Sequence, residues 1–292
     1  MTMTYHWPRA EIIYPDREHK TRRLKRFRFN LRSALHYNKI KQFSRFVNQQ
    51  EALADWLDHH PLCSYPLVHR FLDKRFNSRQ RFTYLKDNLL FFQQRMNKLQ
   101  LPQIWRQALF LGDVVEGFAL YLDMNGCQPM EGLWALELRE QSDQTLVYQC
   151  TFGKIENTLL IGSIQGPNFE GAKEMVKLLT KRCHGLRPMH LMIEAMKYLT
   201  LALGLEQLNG IPQAYQNKSR IVQAKRYTVD YDTIFRESGA ELRHYWRISL
   251  DSKPRDLAEI PSNKRSMYRK RYVMLERLNE LINSKLSVKN KE

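Results

Sequence analysis

The chain is poor in the residues that usually announce a fold or a chemistry. Four cysteines, Cys63, Cys127, Cys150 and Cys183, are scattered over 292 residues, and none belongs to a C-x-x-C pair. That spacing argues against a disulfide framework and against a cysteine zinc site, and it fits a reducing compartment. There is no internal repeat and no low-complexity segment. No apolar run of signal-peptide length follows the stretch from Met1 to Arg9, and the longest apolar runs fall far short of the roughly 20 residues that a spanning helix needs. The expected location is the cytoplasm, with the inner-membrane surface open to it as a peripheral site.

The usual catalytic signatures are missing too. There is no P-loop and no G-x-G-x-x-G. The run Gly162-Ser163-Ile164-Gln165-Gly166 is not a nucleophile elbow, because its serine stands in the wrong place. The nine histidines make no H-E-x-x-H or other ligand spacing, so no metal is expected. His190 and Glu194 lie one turn apart on one predicted helix, where a structural hydrogen bond is the expected role. No catalytic residue can be named from the sequence.

Acidic charge is scarce at both ends. Of the net +17, residues 1–50 contribute +9 (12 Lys/Arg, 3 Asp/Glu) and residues 261–292 contribute +6 (9 and 3). The 210 residues between hold 26 and 24, so a nearly neutral body carries two basic ends. With 43% hydrophobic and 26% charged residues the composition is that of a globular chain. The densest basic run holds Arg22, Arg23, Lys25, Arg26 and Arg28, with Leu24, Phe27 and Phe29 interleaved as apolar wedges. Such a run suits an anionic membrane surface or acidic lipid, suits nucleic acid less well, and also fits a solvated face. The second run holds Lys264, Arg265, Arg269, Lys270 and Arg271 and opens a predicted helix reaching about residue 286. Met267, Met274, Leu275, Leu278, Leu281 and Ile282 give that helix one apolar stripe. Its cations sit at the end the helix dipole disfavours, so docking on the body or an anionic ligand is expected to compensate.

Helical spacing runs over 31–59, through Leu31, Leu35, Phe43, Phe46, Val47, Leu53 and Leu57, and again over 78–99, with Asn77 or Ser78 as cap. Strand patterns follow over 114–122, 133–139, 145–152 and 158–164, spaced as in an antiparallel meander. Two helices, over about 170–183 and 188–203, precede strand candidates over 205–211 and 244–250, with a short basic helix at 218–226 between them. The expected class is mixed α/β (α+β): a helical N-terminal region, a central antiparallel-rich sheet with flanking helices, and a C-terminal basic helix. The organisation reads as a basic arm (1–30), a helical region (31–102), an α/β core (103–260), and a basic helix and tail (261–292).

One junction invites a ligand. Gln165, Gly166 and Pro167 follow a buried strand and precede a helix, where backbone N–H groups can hold an anion. Acyltransferases of the GCN5-related type hold the coenzyme A pyrophosphate in a comparable place, which makes an acyltransferase-like core one reading and coenzyme A the one cofactor to consider. Glu170 stands where the helix should start, and its charge opposes a phosphate. A turn that needs glycine for backbone geometry is the plainer reading.

Four stretches carry a family resemblance. They are Ile161-Gly162-Ser163-Ile164-Gln165-Gly166-Pro167, then Leu179-Thr180-Lys181 with Gly185-Leu186-Arg187-Pro188, then Asp230 to Ala240, and Lys264 to Tyr272. In order and spacing they resemble the VirK/YbjX family of Gram-negative bacteria over about residues 30–280. The departure is Gly239-Ala240, where a paired glycine is expected. The resemblance implies an envelope-associated accessory role on the cytoplasmic side: surface-protein localisation, virulence, or tolerance of cationic antimicrobial peptides. It implies no established reaction and no catalytic residue, and it names no protein partner. An acyl-coenzyme A-dependent transferase and a nucleic-acid-binding regulator stand as the alternatives.

Overall fold

Alternating apolar and polar residues between 109 and 165 build a five-strand meander. The computed structural model describes residues 4–16, 21–217, 230–252 and 254–287. Strands β1 (Leu109–Val115), β2 (Phe118–Met124), β3 (Trp134–Glu140), β4 (Leu146–Ile155) and β5 (Thr158–Gln165) pair antiparallel in sequence order. The chain then crosses over through two helices to β6 (Gln207–Gly210), which lies parallel to β5. After a short helix, β7 (Glu241–Leu242) and β8 (Trp246–Ile248) complete an eight-stranded sheet of order β1-β2-β3-β4-β5-β6-β8-β7. The expected mixed α/β class, with an antiparallel-rich sheet and flanking helices, is the one found.

The helices are α1 (Ala10–Ile13), α2 (Arg23–Leu35), α3 (Tyr37–Asn48), α4 (Glu51–His59), α5 (Ser78–Lys98), α6 (Ala172–Arg182), α7 (Pro188–Ala202), α8 (Tyr231–Glu237) and α9 (Ser262–Leu286). Asn77 caps α5 with a full capping box: its side chain accepts from the amides of Arg79 and Gln80, and Gln80 answers to the Asn77 amide.

Register decides how the layers meet, since residues directly opposite across a ladder share a face. Gly112, Leu120 and Leu138 are opposed across β1–β3, and Trp134 and Leu136 share their side of β3. Leu281 of α9 closes on Gly112. Phe92 of α5 lies 3.9 Å, ring to ring, from Trp134, and Trp56 of α4 lies 5.1 Å from it. The helices α4, α5 and α9 therefore cover one apolar face. The opposite face carries a polar row, Tyr121–Glu137–Gln149–Gln165, one residue per strand from β2 to β5.

Several boundaries differ from the sequence reading. The stretch 31–59 is three helices, not one. It turns at His36, whose amide bonds back to Arg32 and Ser33, and again at Gln49–Gln50. These turns swing Ile40, Phe43 and Val47 into the core. The run 114–122 is a hairpin, because Glu116–Gly117 forms the turn between Val115 and Phe118. The helix expected over 218–226 lies outside the described residues. The basic N-terminal stretch is tied to the body: Tyr5, Ala10, Ile13 and Phe29 are buried, and the Tyr5 hydroxyl donates to Ser64 Oγ at 2.8 Å.

Candidate functional site

Helix α2 carries the first basic run, and it has two apolar sides. Phe29 points inward, 1% exposed, stacked on Trp7 at 6.1 Å. It is not the exposed wedge expected of it, because the helix turns that side chain to the core. Leu24 (60% exposed), Phe27 (63%), Leu31 (50%) and Leu35 (74%) point outward instead. At 100° per residue these four fall within an arc of about 80°. Leu31 and Leu35 are two of the residues that carry the helical spacing over 31–59. Their spacing shows that they share a side and says nothing about what covers it. Arg23 and Arg28 flank the arc, and Lys25 is also exposed. Arg26 turns back to Asp16 (3.1 Å) and to the Tyr14 carbonyl (2.9 Å), while the Arg22 amide bonds Asp16.

Helix α9 carries the second run. Met274, Leu278, Ile282 and Leu286 seat it on the body, and two of its cations are spent on that seating. Arg271 gives Nε and Nη2 to the His184 carbonyl at 3.1 and 2.8 Å, and Arg265 gives Nε to the Ile260 carbonyl at 2.9 Å. Lys264, Arg269 and Lys270 remain exposed, and Lys270 faces α6 across a groove.

The Gln165-Gly166-Pro167 junction lies where β5 outruns its parallel partner. The β5–β6 pairing ends at Ile161 opposite Gly210, with the Ile211 amide bonded to the Ile161 carbonyl at 3.1 Å. From there β5 continues to Gln165 beside β4 alone. The Tyr231 hydroxyl, from the start of α8, donates to the Ile164 carbonyl at 3.0 Å. Gly166 approaches the Tyr148 ring so closely that a Cβ would stand 3.0 Å from Cε1. Helix α6 starts only at Ala172, so exposed Glu170 precedes its N-cap, Gly171, rather than opening the helix.

The polar face beside this junction is hydrogen-bonded from strand to strand. Glu131, 5% exposed, accepts from Ser163 Oγ at 2.8 Å and Gln165 Nε2 at 3.0 Å, and Thr151 meets Ser163 at 2.8 Å. Gly162 allows this approach, since a Cβ there would overlap the Glu131 carbonyl. Gln149, opposite Gln165, gives Nε2 to Glu137 at 2.8 Å. Glu137 and Asp123 share Arg139, with contacts of 2.5 Å each. Burial works to lower the Arg139 pKa, but the two carboxylates outweigh it and raise the value. Such a surface can orient a polar ligand, while Ser163 has a carboxylate and not an imidazole as its partner.

Sequence reasoning missed Glu131, Asp123, Gln149 and Arg139. The one available signal was the glycine pair Gly132 and Gly162. His190 and Glu194 do not pair: Nδ1 meets Ser238 Oγ at 3.1 Å, and Glu194 takes Lys197 at 2.7 Å. All four cysteines are free, and Cys127 alone is exposed. Burial pushes the thiols of Cys63 and Cys183 up to about 12. Among the described residues no three His, Cys, Asp or Glu side chains could hold a metal ion together, and no helix is long and apolar enough to cross a membrane.

An uncharacterised protein of Haemophilus influenzae is 52% identical over 285 residues, covering 98% of this chain and 97% of that one. "Membrane protein LapB" of Mannheimia haemolytica is 54% identical over 219 residues, covering 75% of this chain and 96% of its own. YbjX of Escherichia coli is 29% identical over 195 residues, covering 55% of this chain and 58% of its own. No solved structure matches the chain. The family described as "Protein of unknown function (DUF535)" matches residues 18–284, and with these relatives it shows that the chain belongs to the DUF535, or VirK/YbjX, family.

Proposed function

We propose that the protein is an envelope-associated accessory protein that works at an anionic membrane surface, on its cytoplasmic side, with α2 lying in the lipid–water interface. The observation that carries this reading is the exposed stripe Leu24, Phe27, Leu31 and Leu35 beside Arg23, Lys25 and Arg28. A helix with one apolar face and a cationic border lies in the plane of an interface. Taking a half-exposed Leu or Phe out of water is worth on the order of 1–2 kcal/mol. Each cation near an anionic surface adds about 1 kcal/mol. The two contributions are of similar size, and stable peripheral anchoring generally needs two such signals. Nucleic acid would reward the cations and leave three aliphatic leucines without a partner. The name of the Mannheimia relative, a membrane protein, agrees with this reading. Roles in surface-protein localisation, virulence or tolerance of cationic peptides would be exercised from this surface.

Co-sedimentation with phosphatidylglycerol vesicles tests it. The full chain should bind them and ignore phosphatidylcholine. R23Q/K25Q/R28Q should bind about 100-fold more weakly, the equivalent of roughly 3 kcal/mol. Equal binding by wild type and variant, or equal binding to both lipids, would sink the reading.

The parting of β5 and β6 favours a second one, an acyltransferase-like enzyme with an acyl-coenzyme A donor. Crevices at the carboxyl ends of adjacent parallel strands are common ligand sites in α/β sheets. The amides of Gly166 and of residues 168–171 bond to no backbone carbonyl among the described residues, which leaves them open to a pyrophosphate. Coenzyme A and acyl-coenzyme A should then raise the unfolding temperature saturably, and a bulky residue at Gly166 should abolish the shift. No shift with either compound removes this reading.

A further inference from the structure

We infer that the groove between α6 and α9 binds a phosphate-bearing ligand, at a site separate from the α2 face. The groove is open to solvent along one side and has a volume of about 750 Å³. Lys177 and Lys181, one turn apart on α6, line it from one side, Lys270 of α9 from the other, and His184 closes the end. None of its lining residues is acidic. No salt bridge among the described residues takes any of the three lysines. Three ammonium groups around one cavity without a counter-charge repel one another and concentrate anions.

The groove is built and held in shape. The two hydrogen bonds from Arg271 to the His184 carbonyl fasten α9 to the turn that follows α6. Gly185 packs so tightly that a Cβ would lie 3.1 Å from both Met267 Sδ and Arg271 Nη2. The last carbonyls of α6 are capped by the amides of Cys183, His184 and Gly185, so they do not stand open against an anion. Across the groove α9 presents Asn263 and Ser266 and has no acidic residue in its first turn. Of the cations that looked misplaced on α9, Lys270 is the one that lines this groove.

The charge and shape select the chemistry. A carboxylate satisfies one or two donors. A phosphate monoester or diphosphate offers three or more oxygens to the three ammonium groups. The Met267 and Val176 side chains suit an apolar substituent beside the phosphate. Such a group occurs on a soluble diphosphate such as coenzyme A and on the headgroup of an acidic lipid.

Calorimetric titration of the full chain distinguishes the two sources. The probes are inorganic pyrophosphate, coenzyme A and a soluble short-chain phosphatidic acid, with phosphatidylcholine of the same chain length as control. At least one phosphate probe should bind saturably. K177Q/K181Q/K270Q should bind it at least tenfold more weakly, with an unchanged unfolding midpoint because all three side chains are exposed. K98Q, on α5, and R23Q/K25Q/R28Q should bind as the wild type does, which keeps this result independent of membrane docking. Coenzyme A binding best assigns a soluble ligand, and phosphatidic acid binding best assigns a lipid. No binding of any of the three phosphate probes, or equal binding by the lysine variant, would overturn the inference.

Discussion

His190 shows what burial does to a single residue. It stands on α7 with Nδ1 3.1 Å from Ser238 Oγ and Nε2 3.3 Å from Glu237. Desolvation lowers its pKa below 6.5, and the nearby Glu237 offsets this only in part. His36 is lowered as well, by burial and then by Arg81 and Lys39. Between the folded and unfolded values the unfolded chain binds more protons, so stability rises with pH. The contribution is complete above about 6.5 and is lost as pH falls through the folded value. The urea midpoint should therefore drop between pH 7.5 and pH 5.5, and H190Q should flatten part of that slope. The lowered carboxylates of Asp16, Asp55, Asp143 and Asp230 act below this window. A midpoint constant over the window would contradict the assignment. Little of this is legible in sequence, where spacing suggests Glu194 as the partner of His190. The actual neighbours, Glu237 and Ser238, lie at the C-terminal end of α8 and just past it, at a distance that only the folded chain closes.

At the scale of the element, α5 and α2 make opposite predictions from similar patterns. Both show apolar residues at three- and four-residue steps. In α5 that stripe is the core, and Phe92 packs between Trp134 and Phe152 at 3.9 and 5.9 Å. Phe92→Ala should cost about 3–5 kcal/mol in urea unfolding, a large part of the 5–15 kcal/mol that typically holds a domain together. L24S/F27S/L31S/L35S in α2 should change solution stability by less than about 0.5 kcal/mol per site, because these side chains are already in water. A large loss from the α2 variant would mean that the stripe is covered by the chain itself. Periodicity located α5 and only the last turn of α2, from Leu31 on, so that Arg23 to Asn30 read as part of a basic arm, and it could not tell a covered stripe from a bare one. It also ran α2, α3 and α4 together, because their junctions at His36 and Gln49–Gln50 contain neither glycine nor proline. The polar face was hidden for a related reason. Tyr121, Glu137, Gln149 and Gln165 come from four different strands, and only the register aligns them.

Over the whole molecule, the charge map read from the sequence survives, with its meaning altered. Among the described residues the basic ends pack against the body; Arg26 is tied to Asp16 within its own end, Arg265 to the Ile260 carbonyl, and Arg271 to the His184 carbonyl after α6. Two groups of the exposed cations differ in character: a cationic border around an apolar stripe on α2, and a cationic groove between α6 and α9. The first suits a surface and the second a molecule. The central claim is that α2 enters the membrane interface, and a depth measurement tests it most directly. Cys127 is the one exposed thiol, so C127S leaves a chain whose remaining cysteines are buried. Into that background F27C, L31C or, as control, K41C on the exposed side of α3 is introduced and labelled with an environment-sensitive dye. With phosphatidylglycerol vesicles, labels at 27 and 31 should shift to the blue and become shielded from an aqueous quencher, and the label at 41 should do neither. Labels at 27 and 31 that stay as accessible as the one at 41, on protein that has sedimented with the vesicles, would show that some other surface makes the contact.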